Sequence, residues 1–182
     1  MERATSNDNR PENGLREAHH VATIRPATEA DLQAILTIYN DAVMKTTAIW
    51  NEAPSNLEGR RLWLAQRCKA GFPVLVAEDE GVQGYGSFGE FRPFEGFRNT
   101  VEHSVYVLDE AQGKGLGRML LQALIEEARG MGKRVMVGAI DASNWASLAL
   151  HETMGFEETG RMPGVGEKFG KRLDLVLVQL TL

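Results

Sequence analysis

The spacing of apolar and polar positions changes several times along the chain, and each change marks a predicted element. Apolar residues at Leu32, Ile35, Leu36 and Tyr39 have the i, i+3, i+4, i+7 spacing of an amphipathic helix. The same reasoning predicts helices near residues 29–43, 57–70, 115–131 and 144–154. Short apolar runs bounded by turn residues predict strands near residues 22–26, 74–77, 82–91, 101–108, 135–140 and 173–182. This mixture is typical of an α/β domain built around a central sheet.

The N-terminal segment differs from the rest of the chain. Residues 1–20 are polar and have no regular period, which predicts a disordered tail followed by a single folded domain over residues 21–182. Of the 182 residues in the whole chain, 43% are hydrophobic and 25% are charged. These values are ordinary for a globular protein, so we expect the domain to fold around a core of its own.

The charge and the cysteine content argue against several classes of function. The net charge of −5 is opposite in sign to that of a general nucleic-acid or anionic-membrane binder, so we expect neither partner. The single cysteine, Cys68, excludes a disulfide framework within the chain and a multi-cysteine metal site, and we expect no bound metal. The sequence has no apolar stretch of about 18 residues and no secretory signal pattern, which predicts a cytoplasmic protein.

Two glycine-rich segments are candidates for binding a phosphate-containing ligand. The first, residues 84–89, matches the G-x-G-x-x-G spacing of a dinucleotide-binding turn. That turn binds pyrophosphate only where a strand leads into a helix. Here Pro93 follows closely and disfavours a helix, so we do not predict a nicotinamide or flavin site.

The second glycine-rich segment, residues 112–118, lies between a predicted strand and a predicted helix. A helix N-terminus has unpaired N–H groups and a partial positive charge that attract anions, and glycine lets a phosphate approach the backbone. We interpret the segment as an anion-binding loop to which Lys114 and Arg118 add charge, and the alternative is a tight turn without a ligand. The chain has no G-x-x-x-x-G-K-[ST] sequence, which argues against a P-loop nucleoside triphosphatase.

Several motifs resemble those of one enzyme superfamily. The sequence Gln112-x-x-Gly115-x-Gly117 after an apolar strand resembles the acetyl-CoA loop of the GNAT N-acetyltransferases. Residues 144–156, which begin with asparagine and end with Gly-Phe, resemble the second cofactor motif of that superfamily. A closer resemblance, to the phosphinothricin and methionine sulfone or sulfoximine acetyltransferases, is found at residues 100–107, 150–152 and 168–170.

The resemblance implies a GNAT fold, in which a mixed, mostly antiparallel central sheet with splayed middle strands is flanked by helices. Acetyl-CoA is then the co-substrate, and it lies in the gap between the strands near residues 101–108 and 134–140. Members of the family are typically homodimers, so the expected protein partner is a second copy of the chain. The cofactor-binding residues that the resemblance implies are Val105, Tyr106, Val107, Gln112, Gly113, Lys114, Gly115, Leu116, Gly117, Arg118, Asn144 and Ser147.

The reaction requires a base, because only a neutral amine attacks a thioester and most amines are protonated at pH 7. Glu102 leads into the predicted cofactor strand and is the candidate that accepts the proton, directly or through a water. The phosphinothricin-type enzymes resemble this chain in carrying histidine at the position of His151. His151 is the candidate proton donor to the leaving thiolate, and the alternative is a structural role in packing. Strand alternation places His103 on the sheet face opposite Glu102, and we assign it a structural role.

An amino-acid substrate brings a carboxylate, which arginine binds well, and a side chain that needs apolar walls. We predict an acetyl-CoA-dependent N-acetyltransferase acting on the α-amine of a small amino-acid analogue: methionine sulfoximine, methionine sulfone or phosphinothricin. The alternatives are a protein or peptide N-acetyltransferase and a non-catalytic acyl-CoA-binding sensor. The candidate substrate-binding residues are Trp50, Arg92, Pro93, Phe94, Arg98, Glu102 and Lys168.

Overall fold

The computed structural model describes residues 22–182, and the predicted tail over residues 1–20 lies outside the described residues. Seven strands and four α-helices follow one another in the described part. The elements are β1 (Thr23–Pro26), α1 (Leu32–Lys45), α2 (Leu57–Lys69), β2 (Val74–Glu78), β3 (Val82–Glu90), β4 (Thr100–Val107), α3 (Leu116–Gly130), β5 (Val135–Asp141), α4 (Trp145–Thr153), β6 (Glu157–Lys168) and β7 (Lys171–Thr181).

All four predicted helices form, and their ends differ from the predictions by a few residues at most. α3 begins directly after the glycine-rich segment over residues 112–118, as the pattern predicts. α1 is preceded by a short 3₁₀ turn over Glu29–Asp31, which is why the predicted helix begins earlier than the observed one. Within residues 22–182, no helix is long and apolar enough to cross a membrane.

The entrance to α1 is held by a buried carboxylate. Asp31 accepts two hydrogen bonds of 2.8 Å from the guanidinium of Arg25 on β1. It also accepts a hydrogen bond of 2.7 Å from the backbone N–H of Thr28. Because these donors favour the ionised carboxylate, mainly through Arg25, the pKa of Asp31 is lowered to about 2. The ion pair therefore ties the first strand to the first helix.

The seven strands form one sheet with the order β1-β2-β3-β4-β5-β7-β6. Neighbouring strands are antiparallel except β4 and β5, which are parallel. These two strands pair over only a short stretch, from Thr100 opposite Val135 to Glu102 opposite Val137. Beyond this stretch, β4 continues to pair with β3 and β5 continues to pair with β7, so the two middle strands separate. The predicted mixed, mostly antiparallel sheet with splayed middle strands is confirmed.

The sequence pattern did not identify β6, although β6 is the longest strand of the sheet. Most of its residues are exposed, and it contains three glycines and Pro163, so it lacks the apolar alternation that indicates a strand. It lies at the edge of the sheet, where proline and register irregularities are tolerated, and its pairing with β7 shifts register twice. Its strand conformation therefore comes from pairing with β7 and not from its own pattern.

Apolar layers cover both faces of the sheet. Phe88 and Tyr85, three residues apart on β3, point to opposite faces as strand geometry requires. On the first face α3 is the main layer, and its buried residues include Leu116, Leu120, Leu121, Leu124 and Ile125. On the second face α1 and α2 form the layer, and their buried residues include Leu32, Ile35, Ile38 and Leu64.

Candidate active site

A cleft with a volume of about 800 Å³ opens where β4 and β5 part. Its walls come from β4, the glycine-rich segment, the start of α3, the end of β5, α4 and the loop after α1. The predicted site residues that line this cleft are Trp50, Glu102, Val105, Tyr106, Val107, Gln112, Gly113, Gly115, Leu116, Gly117, Arg118, Asn144, Ser147 and His151. The structure thus brings together predicted residues from four separate segments of the chain.

Other predicted site residues do not line this cleft. Lys114 belongs to the glycine-rich segment, but it is exposed on the outside of the loop. The segment between β3 and β4 is also exposed, with 69% of Phe94 accessible to solvent. From this segment Arg92 reaches back toward the cleft, and its Nη1 lies 3.6 Å from Oε2 of Glu102. Among the predicted substrate residues over 92–98, Arg92 is the one that forms an ion pair with a residue of the cleft.

The glycine-rich segment has the backbone geometry of an anion-binding loop. Gly113 and Gly115 have φ angles of +76° and +84°, in the left-handed region that favours glycine. Gly115 immediately precedes α3, so the first-turn N–H groups of the helix have no carbonyl partner within it. Because Leu116, Gly117 and Arg118 all line the cleft, this positive helix end is available to an anionic ligand there.

The opposite wall of the cleft begins at the N-terminus of α4. The side-chain oxygen of Asn144 accepts a hydrogen bond of 3.1 Å from the backbone N–H of Ser147, so Asn144 caps the helix. The amide nitrogen of Asn144 makes no hydrogen bond with any described residue. Asn144 can therefore hold the helix start with its oxygen and a ligand with its nitrogen.

Glu102 stands at the apex of the cleft. It is the last residue of β4 that pairs with β5, and about a third of its side chain is exposed. Burial raises the pKa of Glu102 above its ordinary value, while the positive charges of Arg92 and Arg67 act in the opposite direction. The net increase makes this carboxylate a stronger proton acceptor than a fully exposed glutamate.

His151 forms a buried pair with His103. The Nε2 atoms of the two rings are 3.1 Å apart, and the planes of the rings differ by 18°. Nδ1 of His151 lies 2.6 Å from the backbone carbonyl of Ser147. Since a carbonyl only accepts, Nδ1 of His151 carries a proton, and Nε2 of this neutral ring accepts a hydrogen bond from the Nε2–H of His103. These tautomers follow from the hydrogen-bond partners.

The pair is uncharged in this arrangement. Burial lowers the pKa of both histidines, and for His103 the pKa falls to about 3. Nδ1 of His103 is buried and has no hydrogen-bond partner among the described residues. In this tautomer Nε2 of His151 carries no proton, so His151 cannot donate one from that atom to a leaving thiolate. This state argues against the acid role predicted for His151.

Lys168 has a different place from the substrate contact predicted for it. The side chain is fully buried, and its ammonium donates hydrogen bonds to the backbone carbonyls of Val43, Thr46 and Ile49. The Nζ–O distances to Val43 and Thr46 are 2.6 and 2.7 Å. All three N–H groups are thus used to fix the end of α1 and the loop after it, and none is left for a substrate.

Trp50 lies on the same loop and lines the cleft. Its Nε1 donates a hydrogen bond of 2.9 Å to the carbonyl of Thr47. Its ring packs on Gly166 of β6, where a Cβ atom would overlap the ring carbons. Together with Lys168, this contact makes β6 the support of the cleft wall that carries Trp50.

The sequence analysis missed Arg67 of α2. Its guanidinium occupies the space above Gly89, where a Cβ atom would overlap Nη1. Gly84 and Gly86 have a different neighbour, because a side chain at either position would collide with β4 and with leucines of α3. The G-x-G-x-x-G match is therefore explained by close packing at its first two glycines and by Arg67 at the third. One feature of the sequence could have indicated the position of Arg67, namely a glycine at a strand position that faces a helix.

A central sheet that divides between two parallel strands, with a glycine-rich helix start at the opening, is the architecture of an acyl-CoA-dependent transferase that the sequence resemblance implied. Comparison with protein families gives the same class, since residues 24–177 match the acetyltransferase (GNAT) domain. The chain therefore belongs to the GNAT acetyltransferase family.

The chain is similar to several named acetyltransferases over most of their length. The chain is 59% identical over 163 residues to an L-methionine sulfoximine/L-methionine sulfone acetyltransferase of Pseudomonas aeruginosa, covering 88% of this chain and 95% of the relative. It is 39% identical over 171 residues to a phosphinothricin N-acetyltransferase of Alcaligenes faecalis, covering 93% and 87%. The solved structure of yncA from Salmonella typhimurium, with its cofactor acetyl-CoA, is 54% identical with a TM-score of 0.87, covering 88% and 94%. The predicted family resemblance is confirmed.

Proposed function

We propose that the protein transfers the acetyl group of acetyl-CoA to the α-amine of a small amino-acid analogue, namely methionine sulfoximine, methionine sulfone or phosphinothricin. The relatives that are similar over most of the chain support this substrate class. The observation that carries the proposal is the position of Glu102, a partly buried carboxylate with a raised pKa at the apex of the divided sheet.

The cleft fits the two polar parts of acetyl-CoA. The left-handed glycines before α3 and the free N–H groups of its first turn suit a pyrophosphate. The outer half of β4, over residues 104–107, pairs with β3 on one side only, so its other edge offers backbone groups to the amides of a linear ligand. We assign the cofactor-binding residues on these two features, with Asn144 and Ser147 on the facing wall.

In the proposed mechanism Glu102 takes a proton from the substrate ammonium, directly or through one water. The neutral amine nitrogen forms a bond to the thioester carbonyl carbon, the carbon–sulfur bond breaks, and the sulfur leaves as a thiolate. The second proton that the nitrogen loses on becoming an amide passes to water or to the thiolate. A thiol of this kind has a pKa near 8.5, so the thiolate needs little help from an acid at neutral pH. We therefore place the essential proton transfer on Glu102 and assign His151 to the wall of the cleft, where burial favours its neutral form.

We also propose that the protein is a homodimer in a cytoplasmic location. The edge strand β6 and the turn after it expose three apolar side chains, with Met162 at 45%, Val165 at 48% and Phe169 at 54%. An exposed sheet edge with apolar side chains is a surface that a second copy can cover. Sedimentation of the purified protein measures the oligomeric state.

The test is an assay of thiol release by the purified full-length protein with acetyl-CoA. The acceptors are methionine sulfone, methionine sulfoximine, phosphinothricin, ordinary amino acids and a peptide. We expect release with the analogues, and we expect Glu102→Gln to lower kcat by about 10²- to 10⁴-fold while acetyl-CoA binding is retained. Glu95→Gln, in the exposed segment nearby, is the matched control and should behave as wild type.

The other outcomes decide between the alternatives. Release with the peptide alone would establish a peptide N-acetyltransferase, and acetyl-CoA binding without release from any amine would establish a sensor. Unchanged turnover by Glu102→Gln would remove Glu102 from the role of base.

A further inference from the structure

We propose that Arg67 is a specificity-determining residue that binds the α-carboxylate of the amino-acid acceptor and thereby restricts the enzyme to free amino acids. The inference rests on the proposed function, because it concerns the acceptor side of the same site. Arg67 belongs to none of the motifs that carry the family resemblance.

Arg67 lies over a glycine of the central sheet, beside the strand that carries Glu102. Its guanidinium extends from α2 to lie above Gly89 of β3, where no side chain competes for the space. Gly89 pairs directly with Glu102 on β4, so Arg67 lies over the strand position next to the proposed base. Consistent with this proximity, the negative charge of Glu102 acts on the pKa of Arg67.

Arg67 has no partner of its own. Its guanidinium makes no hydrogen bond with any residue in 22–182, and Glu102 forms its ion pair with Arg92. Burial lowers the pKa of Arg67, and the negative charge of Glu102 offsets only part of this effect. A partly buried charge without a hydrogen-bond partner is costly, and other arginines in the described part, such as Arg25 and Arg161, are paired with carboxylates.

The arrangement suits the two charged groups of an α-amino acid. In such a molecule the ammonium and the carboxylate are attached to the same carbon atom, so a base and a cation side by side can bind both. Glu102 accepts a proton from the nitrogen, and the planar guanidinium of Arg67 presents paired N–H donors that match a carboxylate. Arg92 is less suited, because its guanidinium is already over the Phe91 ring and bonded to the Phe91 carbonyl.

The same arrangement discriminates against a peptide. The first residue of a peptide has an amide in place of the α-carboxylate, so it cannot satisfy a partly buried guanidinium. A site that loses a charged hydrogen bond in this way rejects the uncharged analogue. Arg67 therefore provides a physical reason why the acceptor is a free amino acid.

The test compares methionine sulfone with methionine sulfone amide, which lacks the carboxylate, in wild type, Arg67→Gln and Arg67→Lys. We expect Arg67→Gln to lower kcat/KM for the sulfone by about 10- to 100-fold, mainly through KM, and to leave kcat/KM for the amide unchanged. Arg67→Lys should recover part of the loss, since a single charge remains. Arg61→Gln, on the same helix but exposed and paired with Glu58, is the matched control.

Binding provides a readout that does not depend on turnover. Calorimetry with methionine sulfone and the CoA-loaded protein should show weaker binding for Arg67→Gln. A second variant, Gly89→Ala, displaces the guanidinium without removing it and should give the same pattern. An equal loss for sulfone and amide, or unchanged sulfone binding by Arg67→Gln, would overturn the assignment. Sulfone binding that depends on Arg67 without acetylation by wild type would support it while refuting the proposed function.

Discussion

Replacing Lys168 with methionine tests whether a single buried ammonium holds the wall of the cleft. Methionine keeps most of the length and apolar character of the side chain, but it has no donor for the carbonyls of Val43, Thr46 and Ile49. Val43 lies in the last turn of α1, where carbonyls lack helical partners and carry partial negative charge. The substitution therefore removes a charged donor from the last turn of α1 as well as the anchor of the loop.

The expected loss of stability follows from these three contacts. A hydrogen bond to a charged group contributes about 1.5–3 kcal/mol, so three such bonds set an upper limit of roughly 4.5–9 kcal/mol. Dehydration of the ammonium offsets several kcal/mol of that sum, and burial accordingly lowers the pKa of Lys168. Thr46 and Ile49 are only half-buried, so water can reach their carbonyls in the variant. We expect a net loss of about 2–4 kcal/mol, which lowers Tm by roughly 4–16 °C in a domain of this size.

Lys171 provides the matched control. It pairs with Lys168 across the turn between β6 and β7, but it is exposed. Urea and thermal unfolding of Lys168→Met, Lys171→Met and wild type measure the difference. We expect Lys171→Met to stay within about 0.5 kcal/mol of wild type. Equal stability of the two variants would refute the reasoning that the ammonium stabilises the last turn of α1.

Two further predictions concern the dependence of stability on pH, measured by urea unfolding. The pKa of Asp31 is about 2 when folded and ordinarily 3.8, so its ion pair contributes about 2 kcal/mol above pH 4 that is lost as the pH falls toward 2. Asp31→Asn should remove that loss, and an unchanged acid transition would contradict the prediction. His103 stays neutral when folded down to about pH 3, whereas an unfolded histidine takes up a proton below about pH 6.5, so stability should fall from pH 7 to pH 5. His103→Gln should reduce that fall by about 2 kcal/mol, and an undiminished fall would indicate that the pair is protonated in the folded protein.

Local patterns were sufficient for most of the fold. The helices and the strands from β1 to β5 have apolar spacing that matches the face each one buries, so periodicity located them. β6 could not be located in this way, because an exposed edge strand buries no face of its own and is defined by β7. The division between β4 and β5 was expected only from the family resemblance, since no local signal records where two strands stop pairing.

The residues of the candidate site also differ in whether a local pattern predicts their place. The glycine-rich segment and Asn144 are found from sequence because a helix start and its cap are local features. Lys168 and Arg67 depend on distant parts of the chain. The partners of Lys168 are more than a hundred residues away in sequence, and the place of Arg67 depends on a glycine on another element. The sequence therefore indicated that both side chains are cationic. It did not indicate whether each one contacts backbone carbonyls or a substrate.

The parting of β4 and β5 leaves unpaired strand edges in the interior of the sheet. At the rim of a sheet, free edges of this kind recruit strands from other molecules and promote aggregation. Here the gap is closed at Glu102 and Val137, where the two strands still pair, and the free edge of β4 beyond it lines the cleft. A thin, unbranched chain that carries amide groups can pair with this edge from inside the cleft. The free edge is thus kept within the fold, where it is available to a slender ligand, and not at the rim of the sheet, where it would recruit strands of other molecules.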